Sequence, residues 1–393
     1  MRILFLSRDY PPENWGGIGS YTFVIARALA ERGHEVHVLS CVPGQMTQDY
    51  VDGTVRVHRR GVPRVRGLGR VTRSRLITAR LETALACWRE HRRLHRKFDV
   101  IEAPDWYAEA LGFAVSRREA LVVHLHGGMS IHVKYSGLRM GRGEQAASWL
   151  ERFCANRAHV ITSPSQILVN DLTKARWLIR GTKPKIVRNP IDLRNWDLLP
   201  AVSTTRPLVL AVGTVEALKA PEVLVQAGAA LVRDIPETEL VFVGRSNGVR
   251  DGKPYKAWVQ QLSSELHAPC RFIEHVTRDQ LRDWYGQARV VAVVSRFESF
   301  SMVALEGMAA CRPIVCTDRV GATEILDAAA GAVVPCDNPA GLADALRPYL
   351  ADASRALGAG NRARALVREY CSPDAVAQER ESCYRDAIDK ART

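Results

Sequence analysis

Arg296-Phe297-Glu298-Ser299-Phe300-Ser301-Met302-Val303-Ala304-Leu305-Glu306 joins an apolar, β-like run, Val290 to Ser295, to an apolar helix-like run. The pattern predicts a strand, a short loop and a helix that opens near Ser301. The first amides of such a helix have no intrahelical partners and its dipole favours an anion, so the turn suits a phosphate. Two carboxylates, Glu298 in the loop and Glu306 on the helix, stand on either side of those amides. Carboxylates do not bind phosphate; their use here is to accept hydrogen bonds from sugar hydroxyls, and the combination implies a nucleotide-sugar pocket. A Glu near a helix start is also an ordinary partner for the dipole, and for Glu306 that reading stays open. With Ser301 as N-cap, however, Glu306 lies beyond the capping-box position. Glu298 falls in the loop after a strand, where α/β sheets place their ligands.

Outward from this stretch, strand-like and helix-like runs alternate along the chain, the signature of doubly wound parallel sheets. In the first half, Arg2 to Ser7, a helix Ser20 to Arg32 closed by Gly33, and Glu35 to Ser40 make one βαβ unit. Leu81, Leu85 and Trp88 mark one face of a basic helix, and Val100-Ile101, Leu121 to Leu125, Val160-Ile161-Thr162 and Lys185-Ile186-Val187 continue the sheet. Asn189-Pro190-Ile191-Asp192 is turn chemistry, and the polar segment after it reads as a linker. Strands then restart at Leu208 to Val212, Glu239 to Val243, Arg271 to His275, Val290 to Val294, Pro313 to Thr317 and Ala332 to Val334. They alternate with helices expected near Pro221, Pro254, Arg278, Ser301, Thr323 and Pro339, followed by Ser354 to Glu369 and Asp374 to Lys390. At 393 residues and 47% apolar composition the chain has the material for two cores.

The segment from Glu298 to Glu306 resembles the E-x7-E signature of family-4 retaining glycosyltransferases. The likeness extends through Ile3-Leu4-Phe5-Leu6-Ser7 with Gly16-Gly17, His124-Leu125-His126-Gly127, Asn189-Pro190-Ile191-Asp192, Leu210-Ala211-Val212-Gly213-Thr214 to Lys219, and Val241-Phe242-Val243-Gly244, in that order. It is close to bacterial, nucleotide-sugar-dependent members. The resemblance implies the GT-B fold: two Rossmann-like doubly wound domains facing a central cleft. The expected division is an acceptor-side domain over 1–190, a linker over 191–206, a donor-binding domain over 207–372 and a final helix, 373–393, crossing back to the first domain. The implied activity is a hexosyl transfer with retention, in carbohydrate or natural-product biosynthesis. The leaving phosphate takes the acceptor proton on the same face, so no side chain has to act as a strong base.

By the same resemblance, Gly16 and Gly17 lie under the diphosphate and the acceptor, His126 stands beside the transferred sugar, and Lys219 neutralises charge on the leaving diphosphate. Glu298 grips sugar hydroxyls and Glu306 the ribose, while Ser301, Met302 and Val303 offer backbone amides. The catalytic set is thus His126, Lys219 and Glu298. The family usually has an Arg immediately after the glycine of the first second-domain strand, where this chain has Thr214, and Ala220 where Gly or Asn is common. Arg245 and then Arg296 are the candidate substitutes. His124, two residues before His126 on the same strand, reads as a core residue. The loop ending in Gly16-Gly17-Ile18-Gly19 is not the dinucleotide fingerprint G-x-G-x-x-G, and no suitably placed acid completes one, so an NAD site is a poor fit.

The acceptor is less defined. Glu102, Asp105 and Trp106 follow a first-domain strand and set acids beside an aromatic ring, a surface suited to sugar rings or a cationic aminocyclitol; Asp9 and Glu13 extend it. The formal charge of +13 points elsewhere, because it is concentrated between Arg56 and Lys97, with 14 Lys/Arg against 2 acidic residues. Such a run can meet an anionic membrane or a phosphorylated acceptor, or be an ordinary solvated face. It lacks interleaved aromatics apart from Trp88 and matches no nucleic-acid module. No stretch approaches the roughly 20 apolar residues of a membrane span, and the N-terminal apolar run is too short for a secretory signal. A cytoplasmic protein, free or peripheral to the membrane, is expected. Nine scattered cysteines form no zinc spacing and read as reduced core thiols. No Asp-x-Asp occurs, so no metal or other cofactor is implied. Two alternatives share the fold: a catalytically impaired sugar-nucleotide-binding protein, suggested by Thr214, and a nucleotide-sugar epimerase, which needs ring-deprotonating acids.

Overall fold

The computed structural model describes residues 1–393 except 13–15, 195, 197, 198 and 200–205. Glu13 and much of the expected linker therefore lie outside the described residues. The chain divides into two compact units, one made of Met1–Lys134, Leu138–Pro190 and Pro373–Thr393, the other of Ile191–Ser372 with Tyr135–Gly137.

The first unit begins with β1 (Arg2–Leu6), α1 (Gly17–Glu31) and β2 (Glu35–Val42). A hairpin, β3 (Gln48–Asp52) and β4 (Val55–Gly61), follows, and then α2 (Leu68–Thr72) and α3 (Arg75–Arg93). β5 (Val100–Pro104), α4 (Leu111–Ser116), β6 (Ala120–His124), α5 (Gly128–Tyr135), α6 (Arg142–Arg157), β7 (Val160–Ser163), α7 (Gln166–Lys174) and β8 (Lys185–Ile186) complete the run. The strands lie in the order β3-β4-β2-β1-β5-β6-β7-β8. All pairs are parallel except β3 with β4. Ile3 to Leu6 and Val100 to Pro104 are buried along their whole length, as helices on both faces of a parallel sheet require.

The second unit continues with β9 (Leu208–Val212), α8 (Pro221–Asp234), β10 (Glu239–Val243), a small hairpin β11 (Val249–Arg250) and β12 (Lys253–Pro254), α9 (Tyr255–Glu265) and β13 (Cys270–Ile273). α10 (Arg278–Gln287), β14 (Val290–Val293), α11 (Met302–Ala309), β15 (Ile314–Thr317), β16 (Gly331–Val334), α12 (Pro339–Ala351) and α13 (Ala353–Cys371) follow. Its main sheet is parallel throughout, in the order β13-β10-β9-β14-β15-β16, with an apolar core on each face. The helix expected from Thr323 is a single 3-10 turn, Gly321–Glu324. The reason is that its amides are tied elsewhere: Gly321 N donates to the Glu298 carbonyl at 3.1 Å and Ala322 N to the Phe300 carbonyl at 2.8 Å. That turn buttresses the loop carrying Glu298.

The last helix, α14 (Pro373–Arg392), packs on the first unit. Val376, Ala377, Cys383, Tyr384 and Ala387 join that unit's core. Arg380, fully buried, donates to Thr162 Oγ1 at 2.7 Å and lies 2.8 Å from His124 Nδ1. In each sheet the strand order reverses once, between β1 and β5 and between β9 and β14. The crevice at the C-terminal ends of those strands is where ligands bind in this architecture.

Candidate active site

In the second unit the candidate residues gather at the ends of β9 and β14. Gly213 and Gly244 end β9 and β10 with φ of 133° and 152°, and a Cβ on Gly244 would fall 2.0 Å from the Gly213 carbonyl oxygen. Only a glycine lets these two strand ends close up, and the space left over them is occupied by the Lys219 side chain, whose Cε lies 3.7 Å from where a Gly213 Cβ would be. Gly307 similarly lets α11 settle on the sheet, since a Cβ there would meet Ile314 Cδ1 at 2.6 Å. The N-terminus of α11 is thereby brought down to the strand ends.

Lys219 Nζ donates directly to Glu298 Oε1, which also accepts from Ser295 Oγ at 3.0 Å. The two catalytic candidates of this unit are thus an ion pair, and both are partly exposed. Glu298 is fixed at its backbone as well, its N–H donating to the Arg319 carbonyl at 3.0 Å. Ser301 caps α11, its Oγ accepting from Ala304 N at 3.3 Å, with φ of 91°. A serine in that region carries backbone strain of a kind concentrated at functional sites. Because the cap bond goes to Ala304, the Met302 and Val303 amides are left as helix-start donors. Glu306 is half-buried and accepts from the Tyr285 hydroxyl at 2.7 Å. Burial raises its pKa, against which the Tyr285 hydrogen bond and the nearby Arg278 charge pull it down. An open pocket is lined here by Gly213, Thr214, Val215, Lys219, Val294 and Ser295 among others.

The two substitute arginines part company. Arg245 is exposed at the end of β10. Arg296 is committed internally, to Glu222 at 2.8 Å, Asp337 at 2.7 Å and the Ala217 carbonyl, and its own N–H donates to the Leu218 carbonyl at 2.8 Å. Its place as a reserve phosphate ligand is therefore corrected: it pins the Ala217–Lys219 turn to the Glu298 loop and so holds Lys219 at Glu298. Ser295 and the Glu222–Arg296 pair carried no motif that sequence reasoning could have used.

In the first unit, Gly16 is the N-cap of α1, and a Cβ on Gly17 would meet nothing within 4 Å. Asp9 is half-buried beside Arg8, Nε to Oδ1 3.9 Å. His126 leaves the end of β6 half-buried, its ring edge-on to Tyr21 and His124 at centroid distances of 5.3 and 4.7 Å. Burial, reinforced by the Arg380 charge, lowers its pKa to about 3, so the ring is neutral at ordinary pH. It borders a small cleft with Phe5, Ile18, Tyr21 and Glu102. His124 is fully buried, bonded to Thr162 and to Asn189 Oδ1 at 3.0 Å.

Glu102 and Asp105 do not form an acceptor surface. Glu102 accepts from Tyr21 and Tyr384 hydroxyls at 2.5 and 2.7 Å and faces Arg380 at 3.4 Å. Asp105, fully buried, accepts from His126 N at 2.8 Å and Gly127 N at 3.1 Å. Both carboxylates are spent inside the fold. Trp106 is half-buried, edge-on to His132. The basic run is not one patch either. Arg59 is buried against the Tyr10 and Pro11 carbonyls, Arg60 binds Asp49 and Glu90, and Arg80 is buried on Glu151. Arg64, Arg66, Arg70, Arg73 and Arg75 are exposed around α2. Among the described residues no helix is long and apolar enough to cross a membrane.

Two family models match the chain: one described as Glycosyltransferase Family 4 over residues 15–195, and one described as Glycosyl transferases group 1 over 206–352. With the fold, they define the chain as a glycosyltransferase of the GT-B fold. Among curated relatives, it is similar to D-inositol 3-phosphate glycosyltransferase of Kineococcus radiotolerans, 29% identical over 95% of this chain and 91% of that protein. It is also similar to α-maltose-1-phosphate synthase of Mycolicibacterium smegmatis, 24% identical over 98% and 99%. Among solved structures, sucrose-phosphate synthase from Thermosynechococcus elongatus superposes with a TM-score of 0.78 at 20% identity, covering 98% of both chains. Anabaena HepE in complex with UDP and glucose gives 0.69 at 19% identity, over 97% and 98%.

Proposed function

We propose that the chain is a family-4, retaining, metal-independent glycosyltransferase that moves a sugar from a nucleoside-diphosphate sugar to a hydroxyl of a small saccharide, aminocyclitol or glycolipid. The observation that carries the reading is the Lys219–Glu298 ion pair at the end of β9, beside the pocket between Gly213 and Ser295 and in the same unit as the open amides of α11. A diphosphate entering there meets a lysine and helix-start amides, and it draws the lysine charge away from Glu298 as charge builds on the leaving oxygen. Glu298 is then free to hold sugar hydroxyls, and Glu306, propped by Tyr285, to hold ribose. Thr214 supplies a hydroxyl where a guanidinium is usual, leaving Lys219 and the exposed Arg245 as the cations for the diphosphate.

His126 contributes as a neutral group, able to share a hydrogen bond with a sugar hydroxyl without adding charge. Since the HepE complexes hold UDP, uridine diphosphate sugars are the first donors to try. Transfer of radiolabel from such a donor to an acceptor panel, with chelator present, tests the reading. Retained anomeric configuration in the product supports it; an inverted product or a strict divalent-ion requirement contradicts it.

A further inference from the structure

Glu151, on α6, is fully buried; burial raises its pKa, against the pull of the Met129 amide, the Arg80 guanidinium and the Tyr107 amide. Its Oε1 accepts from Arg80 Nη2 at 3.0 Å and from Tyr107 N at 3.2 Å, with Arg80 Nε at 3.3 Å; its Oε2 accepts from Met129 N at 2.7 Å. Arg80, on α3, is itself buried, its guanidinium carbon 4.6 Å from the centre of the Tyr107 ring. The Tyr107 amide belongs to a backbone segment in which Tyr107 and Ala108 have φ of 73° and 57°. Two consecutive non-glycine residues in that region are strained, and the strain sets an amide on the carboxylate. Gly128 is confined from the other side, since a Cβ there would lie 3.0 Å from Glu151 Oε2.

The cradle stands where a ligand of this unit is expected. Tyr107 follows β5, and His126 to Met129 form the turn between β6 and α5, at the C-terminal edge of the sheet. Three amides of that turn are already taken: His126 and Gly127 by Asp105, and Met129 by Glu151. Of the two guanidiniums that stack on Tyr107, Arg80 is bonded to Glu151 as well, and Arg8, 3.8 Å from the ring centre, has the Asp9 carboxylate 3.9 Å from its Nε. Burial and the neighbouring Glu151 push the Asp105 carboxyl up to about 7.

We infer that Glu151 is a built-in carboxyl group that occupies the donors of a cradle beside the acceptor position, and that it restricts the acceptor to neutral or cationic hydroxyl compounds, excluding phosphorylated ones. This rests on the reading of the first unit as the acceptor side, and it decides between the acceptor classes that reading leaves open. Glu151 acts by occupying donors and is a specificity-determining residue.

The test reads phosphate binding, so it is independent of transfer. Glu151→Ala and the double variant Arg80→Met/Glu151→Ala are melted with inorganic phosphate and with chloride at matched ionic strength, beside the unmodified chain. A ligand that binds only the folded state raises the melting temperature by mass action. Phosphate is expected to raise the melting temperature of Glu151→Ala several degrees beyond its effect on the unmodified chain, and the double variant is expected to return to the unmodified response. Where Glu151→Ala folds poorly, its refolding yield is read in the same two salts, and phosphate is expected to restore it. Equal phosphate response in Glu151→Ala and the unmodified chain, or an undiminished response in the double variant, overturns the inference. If labelled sugar then passes to a cyclitol phosphate at least as fast as to the free cyclitol in the unmodified enzyme, the specificity claim fails while the transferase reading stands.

Discussion

The two units solve opposite problems at the same place in their sheets. At the end of β9 and β14 the second unit leaves its charges accessible: Lys219 and Glu298 satisfy each other at the surface of a pocket, and the Ser301 cap of α11 takes the Ala304 amide and leaves those of Met302 and Val303 as donors. At the ends of β5 and β6 the first unit has three carboxyls already engaged: Glu102 by Tyr21, Tyr384 and Arg380, Asp105 by two amides, and Glu151 by Arg80 and two more. A diphosphate carries enough charge to displace a partly exposed ion pair. A neutral acceptor has no such leverage, and a surface whose donors are spoken for discriminates by shape and by the charge it refuses.

The largest expected effect lies on the open side. Lys219→Ala removes the charge that matters most as the diphosphate leaves, and steady-state rates should show turnover lower by roughly two to three powers of ten, or about 3 to 4 kcal/mol of transition-state stabilisation. A loss confined to the Michaelis constant would mean that the lysine only binds ground-state donor.

The closed side is expected to show itself in stability. Glu109 is buried, and its oxygens take no hydrogen bond among the described residues; burial pushes its carboxyl from 4.5 up to about 8. The folded chain thus keeps a proton that the unfolded chain releases, so this contribution is fully present below pH 4.5 and is lost as pH rises through 8. Glu109→Gln should leave stability at pH 5 nearly unchanged and flatten its fall toward pH 9, at a scale of about 1.4 kcal/mol per unit of pKa difference. Urea titrations at the two pH values check this; parallel falls in both proteins would place the strain elsewhere.

The smallest effect concerns the exposed arginines. Replacing Arg64, Arg66, Arg70 and Arg73 by Gln should reduce binding to anionic vesicles by about 1 kcal/mol for each charge that meets the surface, in a salt-sensitive way. Absence of binding by the unmodified chain at low ionic strength would remove the membrane from the account.

The contrast also explains what could be read in advance. Parallel strands buried on both faces are continuous apolar runs, so most strands of both sheets, and the loop at Glu298, were visible as pattern. The hairpin of β3 and β4 was not, because Arg56, Arg59 and Arg60 read together as solvated charge, while Arg59 turns inward to the Tyr10 and Pro11 carbonyls. Glu102 and Asp105 looked like acceptor ligands because the sequence places acids beside Trp106 and Tyr107. Their partners, Arg380 and Tyr384 for one and the β6–α5 turn for the other, are distant in sequence and come together only in the folded unit. The final helix supplies a buried cation that no local pattern announces.

The central claim is that Glu298 and Glu306 divide the donor between them, and calorimetric titration of Glu298→Gln and Glu306→Gln with the nucleoside diphosphate, alongside initial rates, tests it most directly. Glu306→Gln should weaken binding of the diphosphate and raise the Michaelis constant, because a ribose contact is made in ground and transition states alike. Glu298→Gln should bind the diphosphate nearly as the unmodified chain does and yet turn over slowly, since the product nucleotide lacks the sugar that this residue holds. Lost nucleotide affinity in Glu298→Gln with normal affinity in Glu306→Gln would contradict the assignment.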